Sequence, residues 1–170
     1  MQSSSITLSL TIWVPIIAGV LVLFLNGEHQ KSSARWVALF GSILGLAVAI
    51  PLWTSFDNAT AAMQFVERTA WIARFNINYA LGVDGISMLF VLLNSFTTIL
   101  VVIAAWEVIQ DKVSQYLAAF LIMSGLINGV FAATDAILFY LFFEAMLIPM
   151  FLIIGVWGGP NRVYAAVKFF

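Results

Sequence analysis

The residue best placed to do chemistry is Glu144, a carboxylate inside the apolar run Ile137–Ile154, which holds no other acidic or basic residue. A charge at mid-helix depth in a bilayer costs about 2.5–3.5 kcal/mol on insertion scales, so such residues usually face a cavity, a partner or a proton path. A carboxyl group that gains and loses a proton, as a cation or a hydrated path comes and goes, performs the elementary step of a relay. Glu144 is therefore the leading candidate functional residue.

Pro149 is a second irregularity in the same run. It has no N–H to give the carbonyl of Ala145, and its ring crowds that turn. Broken helix is tolerated in membranes mainly where protein buries it or where it lines a wet cavity. Glu144 and Pro149 together predict a hydrated proton relay beside a broken helical turn. The alternative is a structural Glu144 bonded to a neighbouring Ser or Asn, with a proline kink that only shapes packing.

The composition indicates a membrane protein. The chain is 63% hydrophobic and 9% charged, with a mean hydropathy of +1.06, far from the averages of soluble domains. A net charge of −1 provides no basic surface for nucleic acid. The sequence has no cysteine for disulfides, iron–sulfur ligation or thiol catalysis, and its single histidine, His29, is expected in a solvated loop. No phosphate-binding glycine loop, nucleophile–histidine pair or metal-ligand cluster is present, so soluble-enzyme chemistry is not indicated.

The elements that must position Glu144 are membrane helices. A bilayer core needs about 20 apolar residues as helix. Five segments qualify: Ile6–Leu25, Trp36–Trp53, Ile86–Trp106, Tyr116–Ala133 and Ala136–Trp157. Tryptophans near their ends are typical headgroup anchors. The segment 162–170 indicates the entrance to a sixth helix that is cut off, so we expect an all-α multi-pass bundle from the N-terminal part of a longer protein.

The segment Thr54–Asp84 is the one stretch with soluble character. Apolar residues alternate with polar ones from Phe75 to Leu81, which predicts a half-buried strand or hairpin on the membrane surface. Asp84 precedes the third span and Asp135 the fifth, and both are predicted helix N-caps. A transport role for Asp84 is the alternative.

Basic residues predict the orientation. With the N-terminus outside, the inner segments hold five of them and the outer segments hold two, as the positive-inside rule favours. The inner set is Lys31, Arg35, Lys112, Arg162 and Lys168, and the outer set is Arg68 and Arg74.

Small and polar residues inside the spans have two open interpretations. The spacings Gly125–Gly129 and Gly41–Gly45 favour close helix packing. Asn128 is interpreted as a packing residue or as one that holds water or reaches Glu144. In the third span a further polar cluster is interpreted as a continued water path; it consists of Asn94, Ser95, Thr97 and Thr98.

Four motifs together resemble a known family. They are Leu81–Ser87, Phe142–Met150, Gly155–Gly158 and Ala165–Phe170, and the chain looks like the antiporter-like membrane subunits of bacterial proton-translocating NADH:quinone oxidoreductase, respiratory complex I. The run Leu147–Met150 after the glutamate favours the M-type, also called chain 4. The resemblance implies a fold of two inverted five-helix repeats, of which this chain covers only the opening. Its implied organisation is two N-terminal helices in 1–53, a periplasmic loop in 54–84 and a truncated first repeat in 85–170.

The resemblance also implies roles. Glu144 matches the essential glutamate of the fifth helix, which takes part in proton translocation and pairs with a lysine absent from this chain. Lys168 matches a recurrent lysine at the start of the sixth helix, with interfacial anchoring as the alternative. NADH, FMN, iron–sulfur clusters and quinone are expected on partner subunits, so the chain acts as a subunit of an enzyme in the bacterial inner membrane and carries no redox centre itself. Two rivals stay open: a subunit of a multisubunit cation/H⁺ antiporter, and a structural scaffold.

Overall fold

A computed structural model describes residues 6–27 and 30–169 of the chain. His29 and Phe170 lie outside these ranges. The described part contains six α-helices and one two-stranded sheet. In chain order they are α1 (Thr7–Phe24), α2 (Lys31–Thr54), β1 (Gln64–Ile72), β2 (Ile77–Val83), α3 (Gly85–Val108), α4 (Val113–Ala132), α5 (Ala136–Trp157) and α6 (Arg162–Phe169).

The five predicted spans are confirmed. Helices α1 to α5 are each long and apolar enough to cross a membrane. The largest change in a boundary is at α2, which begins at Lys31 and not at Trp36. The predicted all-α bundle therefore describes the membrane part of the chain, with one small extramembrane sheet added.

Helix α4 lies at the centre of the bundle and contacts α1, α2, α3 and α5. Buried residues make up 56% of its apolar window, against 17% for α5. Small residues allow the close approach: a Cβ added to Gly125 would lie 2.3 Å from the backbone oxygen of Ile12. At Gly41 an added Cβ would lie 2.5 Å from the Cβ of Ala18. The packing role predicted for both glycine pairs is confirmed.

The sheet is an antiparallel hairpin of β1 and β2, with Thr69 paired to Tyr79 and Glu67 to Leu81. The predicted strand is shifted: Phe75 lies in a turn, Asn76 adopts a left-handed conformation with φ 53°, and β2 begins at Ile77. The alternating burial predicted for it is wrong at its end, where residues 80–83 are all buried. The strand is covered there because it packs on the link between α4 and α5, where the Thr134 N–H donates to the Ala80 carbonyl at 2.9 Å.

The hairpin defines one face of the bundle, here called the hairpin face. It contains the starts of α1, α3 and α5 and the ends of α2 and α4. The opposite face contains the links α1–α2, α3–α4 and α5–α6. Lys31, Arg35, Lys112 and Arg162 therefore lie on the opposite face, whereas Arg68 and Arg74 belong to the hairpin.

Candidate functional site

Glu144 lies in the middle of α5, and its side chain is exposed on the outer surface of the described structure. Four residues at helical spacing form one exposed stripe along this helix: Tyr140, Glu144, Ile148 and Leu152. The side that faces α4 carries the buried residues Leu138, Phe142 and Pro149. The carboxylate is therefore presented to whatever covers α5 from outside this part of the bundle.

Tyr140 precedes Glu144 by one helical turn, and its hydroxyl is within hydrogen-bonding and electrostatic reach of the Glu144 carboxylate. Residues four apart on a helix are neighbours on its surface. A phenol O–H is of the right type to donate to a carboxylate. Tyr140 was missed at the level of the sequence, although its spacing of four residues from Glu144 is a signal that could have found it.

Pro149 does not interrupt α5, which continues to Trp157. The predicted broken turn is therefore limited to the hydrogen bond that a proline cannot donate. Pro149 lines an apolar groove of about 380 Å³ between α4 and α5, together with Ala119, Ile122 and Leu152, and Glu144 is not among the residues lining it. This groove is therefore not a hydrated cavity that Pro149 shares with Glu144.

The polar residues of α3 and α4 form a network of direct hydrogen bonds. Asn94 Nδ2 donates to Asn128 Oδ1 at 2.8 Å and to the Ser124 carbonyl at 2.9 Å. Thr98 Oγ1 donates to Ser124 Oγ at 2.7 Å. These bonds join α3 to α4, so Asn94 and Thr98 of the predicted water path are used in helix contacts, whereas Thr97 is exposed.

Asn128 is 1% exposed. Its Nδ2 donates to the Thr11 carbonyl of α1 at 2.9 Å and lies 3.4 Å from Ser95 Oγ. A buried amide whose hydrogen bonds are all to protein groups avoids the cost of unpaired polar atoms. Of the two interpretations of Asn128, packing is confirmed, and none of its hydrogen bonds is to Glu144.

Lys168 is exposed on α6, with its Nζ 3.4 Å from the Tyr164 hydroxyl and 5.6 Å from the centroid of that ring. Helix α6 sets Ala166 against Gly155, near the end of α5. Glu144 precedes Gly155 by three turns, about 16 Å along the axis at 1.5 Å per residue. The structure therefore does not bring Lys168 and Glu144 together.

Asp84 and Asp135 are helix N-caps, as predicted. Asp84 Oδ1 accepts the N–H groups of Ser87 at 2.7 Å and Ile86 at 3.1 Å, and Ser87 Oγ accepts the Asp84 N–H in return. These hydrogen bonds lower the pKa of Asp84 below its usual value, and the bond from the Ser87 N–H has the largest effect. Both acids thus stabilise helix starts, which confirms the capping role predicted for each.

Asp135 joins two elements. Its Oδ1 accepts the Ile137 N–H at 2.9 Å, and its Oδ2 accepts the Asn78 N–H of β2 at 3.1 Å. The bond from Asn78 is the largest cause of a lowered pKa of Asp135. The charge therefore fixes the start of α5, and with it Glu144, against the hairpin.

Glu67 was missed by the sequence analysis. This residue of β1 accepts the Leu8 N–H at 2.8 Å and the Ser9 N–H at 3.2 Å, and it also accepts the Ser9 hydroxyl. A carboxylate at a helix N-terminus satisfies otherwise unpaired N–H groups and favours the helix dipole. Helix α1 has no side-chain cap from its own N-cap residue, so the hairpin supplies it.

Comparison with known proteins agrees with the resemblance. A family model described as NADH:quinone oxidoreductase/Mrp antiporter, TM, matches residues 133–170. NADH-quinone oxidoreductase subunit M of Rhodobacter capsulatus is 47% identical over 96% of this chain and 32% of its own length. The subunit M of Rickettsia conorii is 41% identical over 96% of this chain and 34% of its own length.

Among solved structures, a chain of respiratory complex I from Thermus thermophilus with bound NADH superposes with a TM-score of 0.78 at 27% identity. That match covers 95% of this chain and 31% of the solved chain. The fold class and the resemblance to M-type subunits are therefore confirmed. The chain spans about a third of the length of the relatives it matches.

Proposed function

We propose that this chain is the N-terminal part of a proton-translocating membrane subunit of NADH:quinone oxidoreductase, and that Glu144 takes up and releases the proton. The observation that carries the proposal is the position of Glu144, a carboxylate on the exposed stripe of the least buried span. An acid at this depth is costly unless a cavity or a partner covers it. The similarity to the M subunits supports the same role.

The proton step depends on a base outside this chain. A carboxyl group in apolar surroundings is held neutral, whereas a cation at about 4–6 Å favours its anion. Approach of a lysine from a later helix releases the proton of Glu144, and its withdrawal allows proton uptake. Tyr140 stabilises the anionic form by donating to it. Lys168 is a second, weaker candidate, and its place near the opposite face also suits interfacial anchoring.

The energy for this step comes from other subunits of the proposed assembly. NADH, FMN, iron–sulfur clusters and quinone belong to those partners in this proposal, and the membrane is the bacterial inner membrane. Asp135 fixes the start of α5 at the hairpin face, and the buried Pro149 packs the second half of the helix against the bundle, so α5 keeps its place while the partner moves. The chain contributes position and a titratable group, not redox chemistry.

The test is Glu144→Gln in the full-length subunit. The amide keeps the size of the side chain but cannot bind and release a proton, so we expect normal assembly and proton pumping lowered by about tenfold or more, the loss expected for a positioned proton-transfer group. Glu107→Gln is the matched control, because Glu107 is exposed near the end of α3. Protons moved per NADH oxidised are measured in inverted vesicles; an unchanged ratio and rate would refute the role of Glu144.

The second candidate is a subunit of a multisubunit cation/H⁺ antiporter, because the family model that matches residues 133–170 includes both classes. Both use a buried acid, but their energy sources differ. Copurification of NADH-oxidising peripheral subunits supports the first function. Sodium-dependent proton exchange without such subunits supports the second.

A further inference from the structure

A cleft of about 810 Å³ opens on the opposite face, between the α3–α4 link and the α5–α6 link. Its lining includes the basic residues Lys112 and Arg162 and one acid, Asp111. Arg35 adds a third cation at the rim, where its guanidinium donates to the Gln110 side chain at 3.2 Å. The charge around the cleft is therefore positive despite Asp111.

Both cations in the lining sit at helix starts. Lys112 is the N-cap of α4 and makes no side-chain cap bond, and Arg162 is the first residue of α6. Neither first turn contains an acidic residue. Helix N-termini carry partial positive charge and favour anions, so cations at these two positions raise the local potential where negative residues are usual.

The backbone at Lys112 is also unusual, because it adopts a left-handed conformation with φ 51° and ψ 42°. Non-glycine residues keep sparsely populated backbone conformations only where the surrounding structure holds them, and such residues cluster at binding and functional sites. Arg162 Nη1 donates to the Val156 carbonyl at 2.8 Å, which fixes its guanidinium beside α5. Two cations are thus held around one cleft.

An apolar groove continues from this cleft along α4 and α5. It is the groove of about 380 Å³ that Pro149 lines, and it shares Val156 and Trp157 with the cleft. Trp157 Nε1 donates to the Asp111 carbonyl at 3.0 Å, an arrangement typical of an aromatic ring at headgroup depth. A cationic cleft thus meets an apolar groove at one tryptophan.

We propose that this combined site binds an anionic phospholipid of the leaflet on the opposite face, with its phosphate between Lys112 and Arg162 and an acyl chain in the groove. Basic pockets between membrane helices are suited to anionic headgroups. The groove favours a lipid over free phosphate, because inorganic phosphate would leave its apolar walls unused. The bound lipid would join α4 to α5 beside the proline turn.

The experiment uses the full-length protein in its purified, delipidated assembly. The probe is phosphatidylglycerol with a photoactivatable group on one acyl chain, and cross-linked residues are mapped by mass spectrometry. We expect cross-links to residues of the groove, such as Ile122 and Leu152, and weaker labelling by the matching phosphatidylcholine probe. If the two probes label the groove of the unmodified protein equally, the proposal is wrong.

Variants then test the cations. Lys112→Gln and Arg162→Gln should each lower phosphatidylglycerol labelling by about fivefold, the effect of removing one basic residue near an anionic headgroup, and Lys112→Arg should restore it. Lys31→Gln is the matched control, because Lys31 lies on the same face but does not line the cleft. Labelling that is the same in all assembled variants contradicts the proposal, as does displacement of the probe by equimolar inorganic phosphate.

Discussion

The acidic side chains of this chain have different roles because their surroundings differ. Asp84 and Asp135 meet backbone N–H groups at helix starts, and Glu67 meets those of α1 from a neighbouring strand. Glu144 meets no helix start and instead lies mid-helix beside a tyrosine hydroxyl. Of these four carboxylates, among the eight acidic residues of the chain, three therefore stabilise the fold, and Glu144 is the one whose position calls for another explanation.

Asp135 should make the thermal stability of the protein depend on pH. The pKa of Asp135 is lowered in the folded chain, chiefly by the hydrogen bond from the Asn78 N–H. Its negative charge therefore stabilises the fold fully at pH values above the ordinary pKa of 3.8, and this stabilisation is lost as the pH falls through the lower pKa of the folded chain. We expect Asp135→Asn to have a lower melting temperature than the wild type at pH 6. The two melting temperatures should approach each other as the pH falls below 3.8. Thermal unfolding of the purified full-length assembly between pH 6 and 3 measures this.

Asp57→Asn is the control for that measurement, since Asp57 lies in the loop before the hairpin and its side chain accepts only the nearby Ala59 N–H. A difference between Asp135→Asn and the wild type that persists unchanged at pH 3 would exclude the charge as its cause.

The caps show which side chains can be predicted from a sequence. Asp84 and Asp135 were found because their partners are the next few residues, so the spacing alone carries the signal. Glu67 was not found because its partners, Leu8 and Ser9, lie 59 and 58 residues away. Locally, the N-cap residue Ile6 has no side chain that could accept these N–H groups.

Helix contacts in this bundle depend on small residues more than on apolar area. Gly125 of α4 meets the backbone of Ile12, and Gly129 meets the Phe142 ring, where an added Cβ would lie 2.6 Å from ring carbon Cγ. Lipid is as apolar as a leucine side chain, so close backbone packing and interhelical hydrogen bonds hold membrane helices together. The network around Asn128 supplies those hydrogen bonds at the same level of the bundle.

Gly125→Ala should therefore destabilise the contact between α1 and α4. The new methyl would meet the Ile12 carbonyl at 2.3 Å, and backbone cannot rotate away as a side chain can. We expect a loss of about 1–3 kcal/mol, the usual cost of overpacking, measured as a lower melting temperature of the full-length protein in detergent. Gly159→Ala is the control, because an added Cβ there has nothing within 4 Å; equal effects of the two changes would contradict this account.

The helices were easier to predict than the hairpin for a physical reason. A span is defined by the length and apolarity of one continuous segment, so its position follows from local sequence. The strand was placed too early because Phe75 and Asn76 form the turn of the hairpin, and the burial at its end is set by the α4–α5 link, where Leu81 pairs with Ala133. That pairing depends on tertiary contacts that no alternation of residues encodes.

The helices of the molecule are buried to very different extents. Helix α4 is largely enclosed, whereas α5 presents most of its surface, including Glu144, to the outside. The matched relatives are about three times as long as this chain, and the proposed function requires a group from outside the described residues to cover that surface. The candidate site could be predicted from sequence only as far as its acid, since its proposed base lies beyond the chain.

The distribution of basic residues predicts which face meets the cytoplasm. Four cations of the described structure lie with the links of the opposite face and Lys168 is on α6, whereas the hairpin carries Arg68 and Arg74. Positive charge near span ends is retained on the cytoplasmic side. We therefore expect Ala61→Cys, in the loop before the hairpin, to react with a membrane-impermeant maleimide in intact cells, and Gly159→Cys to react only after permeabilisation.

This chain has no cysteine of its own, so each introduced thiol reports one position once any cysteines elsewhere in the full-length protein are replaced. Both loop positions are exposed in the described structure, and permeabilised cells control for the reactivity of each thiol. Labelling of Gly159→Cys but not Ala61→Cys in intact cells would reverse the orientation. It would also move the proposed phospholipid to the outer leaflet, because the cleft lined by Lys112 and Arg162 lies on the same face as Gly159.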